Sequence, residues 1–427
     1  MLIRRAGIAA GVLVIAGAAG APAGIAHADS PAARGTCSTG PCDVLGVGSD
    51  TVQNLADFLF DGSFGAVDGY NAQGNINRVY NVFSTGDANG RAVYDGTCGP
   101  TASNGLGAAC SNTANLAANP LAGSVILREG SKPVIRPNGT GAGIAALIAD
   151  TPGDAVEFPG YEGLPTGSIQ FARASRLPDA TEIDACPVSS ACGGLHVYRA
   201  ALDGLRIATS SLSGSRYDGP SGLSAQELVG IYSCTDTRWN QLPGNAAGSS
   251  NTIDPLIPQS GSDTRSFFLA DLQKANGGSA VTPGACVRTV AADDPTGIYA
   301  DPSPADAIEP FSVGKVALIN SGYFANGAGY QSNGDANAYT AGQISLLSGA
   351  PGDSNPVYSS TRGLYFVIRN ADLSGRYPIQ PGATENWAQY LFASRSSWIA
   401  RSTQSTAYSA AGLTQAYKDC GVNPTTC

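Results

Sequence analysis

Apolar and polar positions alternate along this chain in two rhythms, one of strands and one of helices. Val44–Val47 is a short, mostly apolar run that predicts a buried strand. Directly after it, Val52, Leu55, Ala56 and Leu59 fall at i, i+3, i+4 and i+7, the spacing of one helix face. Val79–Phe83, Ser124–Leu127 and Ile169–Phe171 predict further strands, and Ile144, Leu147 and Ile148 mark a helix between the last two. Leu205–Thr209 predicts a strand leaving a first lobe. Ser224–Tyr232 predicts a helix, with Ser224 as N-cap and Glu227 three positions on in a capping box. Ile253–Ile257 predicts a strand, and Phe267–Leu272 lies in the helix after it. Late strands are expected at Val316–Asn320 and Leu364–Ile368, and closing helices at Trp387–Trp398 and Ala410–Tyr417. Strands alternating with helices define an α/β chain.

The first residues change the picture of where this chain acts. Arg4 and Arg5 precede an apolar stretch from Ala6 to Ile25, and Ala26-His27-Ala28 has small residues at the cleavage positions. This reads as a secretory signal peptide over residues 1–28, not a membrane span. Cys37 follows Arg34-Gly35-Thr36, which is not the context of a lipid-modified cysteine, and no later segment is long and apolar enough to cross a bilayer. The expectation is a soluble, exported protein. Its length of 427 residues exceeds what one core usually supports, so two lobes are expected.

Loss of the leader leaves 22 basic against 33 acidic residues, a net charge of −11. That acidity argues against a nucleic-acid or anionic-membrane partner. All ten cysteines follow the leader, and an even count in an exported chain predicts disulfides. Pairing of sequence neighbours, which closes the shortest loops, would join Cys37–Cys42, Cys98–Cys110, Cys186–Cys192, Cys234–Cys286 and Cys420–Cys427. A zinc site is disfavoured because no paired CxxC occurs. The Gly/Asn/Ala-rich stretch 86–123, which holds Cys98 and Cys110, reads as a long surface insertion.

Three places share one grammar: Gly with Ser, Thr or Asp, then an amphipathic helix. They are "GVGSDTVQNLADFL" from Gly46, "PNGTGAGIAALIAD" from Pro137 and "SGSDTRSFFLADL" from Ser260. A helix start leaves backbone N–H groups without partners and carries positive partial charge, glycine admits close approach, and hydroxyls add donors. Together these residues suit an oxyanion. Ser, Thr and Asp are also ordinary N-caps, so one such motif alone is only a helix start; three together indicate a shared site.

Catalytic motifs are missing. No GxSxG and no HExxH occurs, and GTGAG at Gly139–Gly143 lacks dinucleotide spacing, so no catalytic residue, metal or cofactor is assigned. His196, the one histidine outside the leader, lies in "GGLHVYRA" and reads as a core-edge residue. Asp293-Asp294 sits in a Pro/Gly-rich loop and reads as solvated.

The order of these segments resembles the periplasmic phosphate-binding proteins of ABC transporters, a branch of the type II substrate-binding proteins. "LGVGSDT", "GTGAGIAALIAD" with "IQFARASR", "LSAQELVGIYSCTDTRWNQL" and "IPQSGSDTRSFF" carry the resemblance. It implies a two-lobed α/β fold with a mixed sheet in each lobe, a hinge, and the anion held between them. Lobe I would take residues 43–204 with 367–427, and lobe II residues 205–366. Ser262 and Thr264 stand at the family's phosphate-binding serine and threonine, Thr140 at a serine of the second loop, and Asp50 or Thr51 at the first-loop threonine. The expected ligand residues are therefore Ser49, Asp50, Thr51, Thr140, Gly141, Arg176, Ser262, Asp263, Thr264 and Arg265.

Four departures redistribute charge. Pro258 stands at the family's clamping arginine, Ser260 at an acid, Asp263 at a glycine and Arg176 at an aspartate. Arg176, Arg136 and Arg265 are the candidate replacement clamps. Asp50 and Asp263 would repel a fully ionised anion but can accept its O–H, and they fit a zwitterion or a polyol equally well.

The function expected from the resemblance is non-catalytic: an exported, monomeric solute-binding protein for phosphate or another small oxyanion, working with an ABC transporter permease. The competing reading is an extracellular interaction or adhesion protein that keeps the fold with an altered or silent cleft. A hydrolase has no residue in its favour.

Overall fold

The computed structural model describes residues 44–60, 62–63, 67–70, 82–84, 124–125, 134–135, 137, 139–151, 169–211, 217, 222–243, 245–299, 301–321, 344–347, 357–374 and 386–427. The leader, the 86–123 stretch, Arg136 and Cys37, Cys42, Cys98 and Cys110 lie outside them.

In chain order the first elements are β1 (Val44–Gly48), α1 (Asp50–Phe60), β2 (Gly62–Ser63), β3 (Val67–Asp68), β4 (Val82–Ser84), β5 (Ser124–Val125), β6 (Val134–Ile135) and α2 (Thr140–Ala149). Next come β7 (Phe171–Ala174), α3 (Ala180–Ala185), β8 (Leu195–Ser210), α4 (Ala225–Tyr232), β9 (Asp254–Pro258) and α5 (Asp263–Ala275). The remainder is β10 (Arg288–Val290), α6 (Thr296–Tyr299), β11 (Ala307–Ser312), α7 (Val313–Asn320), β12 (Ile344–Leu346), β13 (Ser360–Arg369), α8 (Trp387–Leu391), α9 (Ser405–Ala410) and β14 (Thr414–Val422).

The fold is mixed α/β, with a main sheet in the order β10-β9-β11-β8-β13-β7-β1-β4 and, among the described residues, two small two-stranded sheets, β2-β3 and β5-β6. β4, β1 and β7 are mutually parallel, as are β10, β9 and β11. Between the two parallel sets lie β13 and β8, each antiparallel to its neighbours. β8 is the long member. Its first half carries β13 and β14, and its second half carries β11 and β12. The two parallel ladders are thereby joined into a continuous sheet through β8.

Three apolar cores lie against this frame. α1 packs Val52, Leu55 and Leu59 with Phe171, Phe366 and Trp398. α2 packs Ile144, Leu147 and Ile148 with Val47, Ala172 and Val367. α4 and α5 bury Ile231, Tyr232, Phe268 and Leu272 with Ile207, Trp239 and Ile308. β8 supplies side chains to all three, so its alternation is read by every core.

Several elements differ from the sequence reading. Val316–Asn320 is helical within α7, because Ser312 caps the helix by accepting the Lys315 N–H at 3.1 Å. A short apolar run has no period that separates strand from helix, and the cap decides here. The expected helix at Ala410–Tyr417 splits: α9 ends at Ala410, and Thr414 onward is β14 on β8. The expected helix at Trp387–Trp398 is α8 followed by a 3₁₀ turn at Trp398–Ala400. Asp293 and Asp294 are buried rather than solvated. His196 lies at a core edge, stacked on Tyr198 and bonded through Nε2 to Asp419 at 2.7 Å. The pairs Cys186–Cys192, Cys234–Cys286 and Cys420–Cys427 are disulfide-bonded. No helix among the described residues is long and apolar enough to cross a membrane.

Candidate functional site

The end of β1 is built for close approach. Gly48 has φ 116°, a backbone conformation natural to glycine. A Cβ on Gly143 would come 2.5 Å from the Gly48 Cα, so two glycines let α2 lie directly on the β1 terminus. The buried Arg173 ties this corner together by donating from Nε to the Ser49 carbonyl at 3.1 Å and from Nη2 to the Gly48 carbonyl at 3.0 Å.

Three helix starts then meet. α1 begins at Asp50, α2 at Thr140 and α5 at Asp263. Gly139, the N-cap of α2, has φ 91° and offers no side-chain cap. Ser262 caps α5 by accepting the Arg265 N–H at 3.5 Å. Between these starts is a cavity of about 440 Å³, lined by seven of the ten expected residues: Asp50, Thr51, Gly141, Arg176, Ser262, Asp263 and Thr264. Ser49 and Thr140 are buried beside it, and Arg265 donates from Nη1 to the Pro258 carbonyl at 2.9 Å. One nitrogen of Arg265 thus holds the strand end before its own helix.

Asp263 is held in the cavity by two hydroxyls and a guanidinium. Its Oδ2 accepts from the Thr140 hydroxyl and from the Ser175 hydroxyl, the latter at 2.7 Å. Its Oδ1 faces Arg176 Nε at 3.3 Å. The donors are themselves ordered: the Ser175 N–H donates to Thr140 Oγ1 at 2.8 Å, and Ser49 Oγ donates to Ser175 Oγ at 3.2 Å. A chain of hydroxyls therefore ends on the Asp263 carboxylate, each bond polarising the next.

Arg176 has more than one carboxylate. Its fork gives Nη1 to Glu182 Oε2 at 2.8 Å and Nη2 to Glu182 Oε1 at 2.7 Å, and Asp179 lies 3.5 Å from Nη2. Burial works against the guanidinium charge, but Glu182, Asp263 and Asp179 outweigh it and hold its pKa above the ordinary range.

A second arginine, which the sequence reading did not single out, enters from β13. Arg362 Nη1 donates to Thr264 Oγ1 at 2.9 Å, and Nη2 lies 3.5 Å from Thr51 Oγ1. Thr51 in turn donates to Asp293 Oδ2 at 2.9 Å. Arg362 thus holds the hydroxyls at two helix starts. Ser175 was also missed, although it stands next to Arg176 in "FARASR". Arg362 had no signal: it stands in Ser360-Thr361-Arg362-Gly363, ahead of the apolar run that predicts the strand.

The sheet, the shared long strand and the cavity at three helix starts define a mixed α/β protein with a polar cavity between helix starts. The PBP superfamily domain matches residues 96–395, and the chain belongs to that family. No curated protein matches the chain. Among solved structures, an ABC-type phosphate transport receptor from Vibrio cholerae aligns at 12% identity over 88% of this chain and 100% of its own, with a TM-score of 0.41. PstS from Borrelia burgdorferi aligns at 12% identity over 87% and 98%, with a TM-score of 0.39.

Proposed function

We propose that this chain is an exported solute-binding protein that holds a small oxyanion, phosphate foremost, in a cleft between two lobes and delivers it to an ABC-type permease. The observation that carries the reading is the convergence of the α1, α2 and α5 starts on one cavity. A helix start carries backbone N–H groups and positive partial charge, and all three starts border the same space. Thr264 adds a hydroxyl that accepts from Arg362 and so keeps its proton to give, whereas Thr51, which also accepts from Arg362, gives its proton to Asp293. Phosphate is favoured by the resemblance of the loop sequences.

In this reading residues 1–28 are removed on export. Residues 43–204 with 367–427 form one lobe and 205–366 the other, with β8 and β13 crossing between them. The mature protein acts as a monomer. Closure follows from ligand contacts to both lobes.

Calorimetric titration of the mature protein with phosphate tests this. Binding should weaken by about 1.5–3 kcal/mol in Thr264→Ala, the range of a hydrogen bond to a charged group. Phosphate affinity unchanged in Thr264→Ala and in Ser262→Ala would remove the α5 start from the site. A second reading, an extracellular interaction protein with a silent cleft, is favoured by one feature: Arg176 is already engaged by three carboxylates. Failure of phosphate, sulfate and small carboxylates to bind would select it.

A further inference from the structure

We infer that the Asp263 carboxylate is a tethered occupant of the cleft's own oxyanion seat, and that a free oxyanion binds by displacing it. This rests on the oxyanion reading above and deepens it. The seat consists of the Thr140 hydroxyl, the Ser175 hydroxyl and the Arg176 guanidinium, all from the segment around the α2 start and the end of β7. Asp263 comes from the far side of the cavity, at the first residue of α5. A carboxylate received by two hydroxyls and a guanidinium at a helix start has the partners that one edge of a phosphate would take.

The donors leave no room for both anions. Thr140 and Ser175 have one hydroxyl proton each, and both give it to the same Asp263 oxygen. Ser175 keeps no spare N–H, because that group bonds Thr140 Oγ1. Arg176 is forked onto Glu182, so the nitrogen it turns to Asp263 is Nε. An incoming oxyanion beside a seated Asp263 would meet a carboxylate at the position where it needs donors. With Asp263 withdrawn, the same three donors face the cavity.

A tethered competitor lowers apparent affinity without changing the intrinsic contacts, in proportion to its effective concentration. Its exchange also has a structural consequence. Asp263 is a direct link between the α5 start and the Thr140–Ser175–Arg176 group, so an anion that takes its place must restore that link through its own oxygens. Position 263 therefore sets how strongly an anion must compete to bind and close the cleft.

The test is phosphate titration of the mature parent, Asp263→Gly and Asp263→Asn, each with a melting curve. Asp263→Gly is expected to bind phosphate about tenfold or more tighter than the parent, or to bind where the parent does not. Asp263→Asn, which keeps the shape and loses the charge, should lie between. Adding Ser175→Ala to Asp263→Gly should abolish the gain. Equal or weaker binding by a folded Asp263→Gly, or a gain that survives Ser175→Ala, overturns the inference. Failure of both Gly and Asn variants to fold also overturns it, since a displaceable occupant is dispensable to the fold. Parent binding without a gain sinks this inference and leaves the oxyanion reading standing. A silent parent with a binding Gly variant sinks that reading for the natural chain and upholds the inference. Silence of all three proteins removes both.

Discussion

Arg362 and Asp203 stand directly opposite each other on β13 and β8, and the guanidinium gives both Nε and Nη2 to a single carboxylate oxygen, at 3.1 and 3.0 Å. Both side chains are buried. The pair lies where β8 passes from the β14 half of the sheet to the β11 half. Asp203 also receives the Ser312 hydroxyl at 2.9 Å and the Gly314 N–H at 3.2 Å, so it fixes the start of α7 as well. One ion pair thus joins the central strands, the α7 start and, through Thr51 and Thr264, two walls of the cavity.

Removing one partner should be far worse than removing both. Arg362→Met leaves a buried carboxylate without its cation, and an uncompensated charge of this kind costs about 3–5 kcal/mol. Thermal melting should fall steeply in Arg362→Met. The double variant Arg362→Met with Asp203→Leu should recover part of the loss. A melting temperature for Arg362→Met equal to that of the parent would show that the pair is not structural.

Glu309 predicts a pH dependence of stability. It is wholly buried on β11, and neither carboxyl oxygen has a hydrogen-bond partner. Burial, then the charges of Asp293 and Asp294, push its pKa well above the ordinary value of 4.5. The folded chain therefore keeps a proton that the unfolded chain releases. This contribution is fully present below the unfolded pKa and is lost as pH rises through the folded one. Glu309→Gln lacks that titration. Melting of the variant relative to the parent should improve steadily from pH 4 to pH 8. A difference that does not change with pH would contradict a raised Glu309.

The Cys234–Cys286 disulfide spans 52 residues, against 6 and 7 for the other two bonds described. In the chain-entropy account, a loop of this length contributes about 4 kcal/mol. Replacing both cysteines by serine should lower the melting temperature more than the same change at Cys420 and Cys427. Equal or reversed losses would show that local packing, not loop closure, sets the value of these bonds.

Gly143→Ala should damage the cavity without touching a ligand. The new methyl would lie 2.5 Å from the Gly48 Cα and 3.2 Å from the Val47 carbonyl oxygen, so relief requires a backbone shift rather than a side-chain rotation. Overpacking of this kind costs about 1–3 kcal/mol. Displacement of α2 from β1 should also weaken anion binding, because Thr140 moves with the helix. Full stability with full affinity in this variant would refute the close packing.

Much of the local architecture was legible without coordinates. The Ser224–Glu227 capping box, the Ser262 start of α5, the α1 and α2 faces and the β9 strand all depend on residues within a few positions of each other, so their chemistry is written in spacing. Charge, cysteine count and the three Gly-rich starts likewise belong to the sequence itself. What it left ambiguous were short apolar runs. Val316–Asn320 is a helix and Thr414–Val422 a strand because of what caps or pairs with them, not because of their own period.

Only the tertiary structure decided how the charges are used. Arg362 reaches Thr51 over 311 positions, Thr51 reaches Asp293 over 242, and Ser175 reaches Asp263 over 88. No local pattern encodes such contacts, because they exist only once β8 and β13 have brought the helix starts together. The sequence by itself determined that glycine with Ser, Thr or Asp stands at three helix starts. The fold decided that one of their acids, Asp263, sits among the donors, because a buried carboxylate is costly unless hydroxyls and a cation receive it, and Thr140, Ser175 and Arg176 are the groups the fold brings to it.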